Sequence, residues 1–297
     1  MAQHDPRLII LAGGISSRMK IPATTRIGDE LEMQAADRTK GMIGVGADGR
    51  PFLDYLLYYA REAGLREVLL VIGERDHAVR PYYGERDRGN VFHGLSISYA
   101  VQSIPPGRVK PLGTGDALYQ ALSARPDWAG GDFIVCNSDN LYSIRAFTKL
   151  LRDGAPNSLI DYDRSGLEFD EKRIAQFGVT KKDAEGYLLE IIEKPPAEQL
   201  EKLRDRDGTL RISMNIFRLQ YNMVFAFLQE CPIHPVRQEK ELVAAVTRMA
   251  QELPRSVKAL PLKEHVPDLT YQGDIPAVQK FIGKNFPVSL WEQGRTH

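Results

Sequence analysis

The chain has 297 residues, 43% of them hydrophobic, which suffices for a sizeable core in two domains or in one large α/β domain. Lysine plus arginine and aspartate plus glutamate number 39 each, a balance that argues against a nucleic-acid-binding surface. Two cysteines, Cys136 and Cys231, give neither a disulfide framework nor a zinc spacing; no apolar run reaches membrane-spanning length, no signal-peptide pattern opens the chain, and a cytoplasmic protein is expected.

In chain order, Leu8–Ala12 reads as a buried parallel strand that runs into Gly13-Gly14-Ile15-Ser16-Ser17-Arg18-Met19-Lys20. The glycines let backbone turn sharply and approach a ligand, and successive N–H groups in such a turn form an anion-binding nest. Arg18 adds a planar fork suited to phosphate and Lys20 a mobile point charge, so the loop is expected to hold a polyphosphate. Its spacing is neither G-x-x-x-x-G-K-[ST] nor G-x-G-x-x-G.

Residues 20–50 lack a clean period and are expected to form a long loop or lid containing Lys40. Pro51–Ala60 shows helical spacing and Gly64 a stop; Val68–Ile72 is a second strand, and strand, helix, strand implies a right-handed crossover into a parallel sheet. Residues 74–94 read as a short helix and loop, then Leu95–Val101 as a third strand, ending at Gln102. In Leu112-Gly113-Thr114-Gly115 the glycines are expected to bring backbone close to a ligand and Thr114 to cap the helix Asp116–Ala124. A fourth strand, Asp132–Asn137, is followed by Asp139, a carboxylate at the end of a buried strand, where open α/β sheets bind ligands; the plainer reading is a cap on the helix over 143–153.

Strands are expected over Leu159–Tyr162, Phe177–Thr180, Tyr187–Ile192, Leu210–Phe217 and Val257–Leu262. Helices are expected over 197–207, 220–229 and 238–252, and after Asp274, which reads as the cap of the last one. Glu193-Lys194-Pro195-Pro196 reads by itself as a charged strand end before prolines.

L-A-G-G-x-S-S-R-M, L-G-T-G, E-K-P, S-M-N-I-F and the segment Asp268–Asp274, in that order, resemble the nucleotide-sugar pyrophosphorylases, that is, the sugar-1-phosphate nucleotidylyltransferases. The resemblance runs from about residue 8 to 291. It implies a three-layer α/β/α Rossmann-like fold with a mixed, mainly parallel central sheet. It also implies one domain over 1–297, with a nucleotide half to residue 142 and a sugar-phosphate half with the C-terminal helix from residue 143.

By that resemblance Leu11, Ala12, Gly13, Gly14, Ser16, Ser17 and Arg18 wrap the triphosphate, and Arg18 holds the departing pyrophosphate. Lys40 points at the phosphates, with Lys20 as its competitor and a solvated lysine as the plain alternative. Gln102, Gly113 and Thr114 read the base; an amide can pair with the imide edge of uracil or thymine, which suggests UTP or dTTP. Asp139 and Asp268 bind Mg²⁺, while Glu193, Lys194, Gly178 and Asn215 hold the sugar phosphate; Asn215 and Ser213 could equally be ordinary strand polars. The implied reaction joins an NTP and a sugar-1-phosphate into an NDP-sugar and pyrophosphate. The partners are small molecules rather than nucleic acid or membrane, and self-association is left open. Transfer of CMP or GMP to another acceptor and a non-catalytic nucleotide- or sugar-binding regulator are the alternatives. A plain dinucleotide-binding domain is discounted on the glycine spacing.

Overall fold

The computed structural model describes residues 5–22 and 27–291. The chain forms two compact units that are not consecutive halves: residues 1–110, 137–144 and 267–297 make the first, 111–136 and 145–266 the second.

In the first unit β1 (Arg7–Leu11) lies parallel to β2 (Glu67–Gly73), and β2 parallel to β4 (Leu95–Gln102), with the short β3 (Asn90–Phe92) antiparallel on β4. Leu8 to Leu11 and Val68 to Ile72 are all buried, as expected of strands covered on both faces. The helix Phe52–Glu62 connects β1's side of the chain to β2 and buries Phe52, Leu53, Leu56, Leu57 and Ala60. It starts after Pro51 and stops at Gly64, whose φ of +104° suits glycine. The C-terminal helix Ile275–Asn285 buries Ile275, Val278 and Ile282. Beyond it, Phe286 packs on Tyr55, Tyr58 and Tyr59, while the Trp291 indole donates to the buried Asp54 carboxylate, 3.2 Å away. Burial pushes the Asp54 carboxyl up, opposed by hydrogen bonds from Tyr83, Trp291 and Tyr82.

Residues 20–50 are not one long loop. Among the described part, Asp29–Asp37 is a helix, and Lys40–Met42 and Ala47–Gly49 are single 3₁₀ turns. The buried Gln34 side chain accepts from the Gly44 amide at 2.8 Å, and Met42, Ile43 and Val45 are buried, so this stretch is anchored in the core.

The second unit is mostly antiparallel. β9 (Arg211–Gln220) pairs with β5 (Asp132–Asn137), β6 (Asn157–Asp163) and β7 (Gly178–Lys182), and β7 pairs with β8 (Leu188–Glu193). Only β10 (Val257–Leu262) runs parallel to its partner there, β6, among the described pairings. The sheet is therefore mixed, with its parallel character concentrated in the first unit. The helix expected over 197–207 is short, Ala197–Leu200 followed by one 3₁₀ turn.

Between Leu159 and Asp161 the β6–β9 register shifts, since Leu159 faces Phe217 and Asp161 faces Ser213; the extra residues of β9 bulge around Asn215. Beside the bulge Asp161 is fully buried and accepts from the Thr180 hydroxyl and the Lys182 ammonium, which also reaches Asp205 at 3.0 Å. Burial pushes the Asp161 carboxyl up and the Lys182 charge pulls it back. Asp161→Ala takes away a buried partner of Lys182 and is expected to destabilise by about 3 kcal/mol in urea unfolding, whereas the paired change Asp161→Leu with Lys182→Met should come close to wild type.

Candidate active site

The glycine loop leaves β1 at its carboxyl end. A Cβ on Gly13 would lie 3.2 Å from the Ile72 carbonyl carbon, so a side chain there would have to displace β2's end by a few tenths of an ångström. A Cβ on Gly14 meets nothing within 4 Å, so its outer side faces open space. Ser16 holds a left-handed φ of +53°, and the amides of Met19, Lys20 and Ile21 donate in succession to the carbonyls of Ser16, Ser17 and Arg18. Met19 is fully buried and pins the loop, while Ser17, Arg18 and Lys20 are exposed. The Arg18 guanidinium lies 5.8 Å from the centroid of the Tyr271 ring and forms no ion pair among the described residues.

Two polar residues far apart in sequence, Lys40 and Asp139, meet at this end of the sheet, and the backbone of the closing segment runs beside them. The Ser138 amide donates to the Leu11 carbonyl at 3.2 Å, which sets Asp139 beside the start of the glycine loop. The Lys40 ammonium reaches the Asp139 carboxylate at 2.7 Å, both largely shielded from solvent. Gly41, next to Lys40, has room for a Cβ only at ordinary contact distance from Ser138 and Leu53. The closing segment arrives through an antiparallel bridge between Asn140 and Asp268, with the Leu269 amide donating to the Asp139 carbonyl at 2.8 Å. Asp268 accepts from the Thr270 hydroxyl, and the Asp274 carboxylate accepts from the amides of Thr270 and Tyr271 at 2.8 and 2.7 Å. Asp274 thus stands at the N-cap position of the last helix, and its carboxylate ties back into this turn.

Asp139 does not cap the following helix with a recorded side-chain bond; its carboxylate is taken by Lys40. Asp139 and Asp268 lie on facing segments, and two hard carboxylates completed by phosphate oxygens are a fitting donor set for Mg²⁺. No group of three or more His, Cys, Asp or Glu that could hold a metal occurs among the described residues. Gln102 is buried at the end of β4 opposite Gly73, the residue whose amide borders Gly13, so it shares the loop's edge of the parallel sheet.

In the second unit the L-G-T-G element is pressed against its own chain. Gly113 has φ +98°, and its Cβ would lie 2.8 Å from the Lys240 carbonyl oxygen; the Gly115 amide donates to that oxygen at 2.8 Å. The expected cap by Thr114 is not made: Gly113 is the N-cap residue, and the Thr114 hydroxyl accepts from the Leu242 amide at 3.0 Å. Gly178 pairs with both Glu193 and Ser213, and a Cβ there would meet Ile191 at 2.7 Å and the Glu193 Oε1 at 3.1 Å. Lys194 and Asn215 hold φ of +48° and +57°. Of the six non-glycine residues with positive φ among the described ones, Ser16, Lys194 and Asn215 are positions that the resemblance marks.

Arg237, which pairs with Glu193 at 3.2 Å, and Tyr271, which faces Arg18, carry no sequence expectation of a role. Neither belongs to a periodic pattern, and only the fold shows their neighbours.

The pattern of the family described as Nucleotidyl transferase matches residues 7–261. The chain is 27% identical over 136 residues, 46% of its length and 47% of the relative's, to D-glycero-alpha-D-manno-heptose 1-phosphate guanylyltransferase of Aneurinibacillus thermoaerophilus. It is 27% identical over 189 residues, 63% of its length and 55% of the relative's, to glucose-1-phosphate thymidylyltransferase of Neisseria meningitidis. The chain thus spans about half the length of these curated relatives. A UTP-bound UGPase from Acinetobacter baumannii superposes with a TM-score of 0.68 at 17% identity, over 96% of this chain and 95% of that one, a likeness that shows the fold.

Gly14→Ala, which meets open space, is expected to leave stability within ~0.5 kcal/mol of wild type in chemical denaturation. Gly113→Ala, left-handed and crowded by Lys240, is expected to cost more than about 1 kcal/mol in the same measurement.

Proposed function

The chain belongs to the nucleotidyl transferase family, and we propose that it is a sugar-1-phosphate nucleotidylyltransferase. A sugar-1-phosphate oxygen attacks the α-phosphorus of an NTP, the new P–O bond forms as the bond to the bridging oxygen breaks, and pyrophosphate leaves. The observation that carries this reading is the meeting of Lys40, Asp139 and the Asp268 segment beside the glycine loop.

No covalent intermediate on the protein is needed, so the residues work by positioning and charge neutralisation. The amides after Gly13 and Gly14 and the Arg18 fork bind the β- and γ-phosphates, and Arg18 balances the charge that builds on the leaving pyrophosphate. Lys40 carries three N–H donors, one of them directed at Asp139, and supplies a fixed positive charge near the phosphates. Asp139 and Asp268 are the residues that would hold Mg²⁺, which when bound supplies charge neutralisation at the α-phosphate. In the second unit Lys194 receives the sugar phosphate, Glu193 accepts from sugar hydroxyls, and Gly178 and Asn215 shape that subsite. Work in the cytoplasm, where NTPs are abundant, accords with the two cysteines being buried thiols; among the described residues no helix is long and apolar enough to cross a membrane.

The Gln102 amide favours UTP or dTTP. Guanylyl transfer is the second reading, supported by the name of the guanylyltransferase relative. Pyrophosphate release from each of UTP, dTTP, GTP and CTP with a panel of sugar-1-phosphates separates the two, and nucleotide binding with no release from any pair would contradict both. Asp139→Ala is expected to lower metal-dependent release by on the order of 100-fold or more, with unchanged release counting against the scheme.

A further inference from the structure

Within the second unit the segment from His234 to Leu242 touches two of the marked motifs at once. Its Lys240 amide donates to the Leu112 carbonyl at 2.5 Å, its Lys240 carbonyl accepts from Gly115 at 2.8 Å, and its Leu242 amide donates to the Thr114 hydroxyl at 3.0 Å. At the other end of the segment the Arg237 guanidinium reaches Oε2 of Glu193 at 3.2 Å and also donates to the Glu241 carboxylate.

The backbone that presents Arg237 is itself fixed. The His234 imidazole Nδ1 accepts from the amides of Val236 and Arg237 at 3.2 and 3.1 Å. The Gln238 amide closes onto the His234 carbonyl at 2.8 Å, and Gln238 is held at φ +57°. Among the described residues Arg237 is the one cation paired with Glu193, while Lys194, its chain neighbour, makes no ion pair.

Resting on the reading of Glu193 as the acceptor for sugar hydroxyls, we infer that Arg237 is a positioning residue of the sugar subsite. It occupies Oε2 of Glu193 and so leaves Oε1 beside Gly178, 3.1 Å from where a Cβ on that glycine would stand. A guanidinium can hold Glu193 and Glu241 together through separate N–H groups in one plane, which an ammonium cannot reproduce. Without it the two carboxylates lose their shared cation and Glu193 is free to change rotamer. The ligand read by Oε1 is a hydroxyl of the sugar ring, a neutral donor.

The test uses the full chain with its best NTP and whichever of glucose, galactose or mannose 1-phosphate the wild type turns over fastest. Steady-state pyrophosphate release is measured for wild type, Glu193→Gln, Arg237→Ala, Arg237→Lys and the double variant Glu193→Gln with Arg237→Ala. The expected result is a KM for the sugar phosphate raised about tenfold by either single change, with kcat and the KM for NTP moved less than about threefold. The double variant should be no worse than Glu193→Gln alone, and Arg237→Lys should recover part of the loss. A normal KM in Arg237→Ala alongside a raised KM in Glu193→Gln would overturn the inference while sparing the reading of Glu193. Effects that multiply in the double variant would also overturn it, since they mean independent roles. A normal KM in Glu193→Gln would overturn the reading of Glu193 and the inference with it. Thermal unfolding of each variant, expected within a few degrees of wild type, separates lost positioning from lost folding; a Tm fall large enough to account for the raised KM would count against the inference.

Discussion

The Lys40 ammonium sits 2.7 Å from the Asp139 carboxylate, and the arrangement of the first unit turns on that pair. A carboxylate at the end of a buried strand is costly without a partner, and Lys40 offsets it. The lysine can do so only because the stretch before Pro51 is anchored: Met42, Ile43 and Val45 are buried, and Gln34 fixes Gly44. On the other side the chain returns from its C-terminal end to pair the backbone of Asp268 with that of Asn140, the residue next to Asp139. Unlike the fork of an arginine, an ammonium imposes no fixed plane on its donors, so two of the three Lys40 N–H groups can turn to other acceptors while one stays on Asp139.

The glycines divide by what they make room for. Gly13 gives way to β2, Gly113 and Gly115 give way to the backbone around Lys240, and Gly14 borders open space. A glycine motif therefore mixes positions that let chain meet chain with positions that border open space. Of the six left-handed non-glycine residues among the described ones, three lie at positions that the resemblance marks. Ser16, Lys194 and Asn215 hold a backbone that ordinary side chains disfavour, and a bulge in β9 accompanies the last of them.

The strands Arg7–Leu11 and Glu67–Gly73 are legible because burial on both faces writes itself as runs of Val, Ile and Leu; Asp132–Asn137 and Val257–Leu262 also have the expected bounds. β3 was not, since Asn90-Val91-Phe92 is too short to show alternation and exists through pairing with β4. The helix Asp29–Asp37 carries no apolar stripe in the sequence, because most of it is exposed and only Gln34 and Ala35 are buried. Asp139 follows as a candidate from its position at a strand end, whereas Gln102 follows from the family resemblance. Which lysine meets Asp139 does not, because 99 residues separate Lys40 from its partner. Arg237 lay deeper still: a charge among charges in sequence, it gains meaning only where Glu193 and Glu241 meet it.

The claim that Asp139 and Asp268 serve one divalent ion together with the triphosphate can be measured directly by anomalous diffraction from crystals grown with Mn²⁺ and the preferred nucleotide. The result in its favour is a single strong manganese peak touching the Asp139 and Asp268 carboxylates and phosphate oxygens. A nucleotide bound elsewhere, or manganese that contacts neither carboxylate, would contradict it.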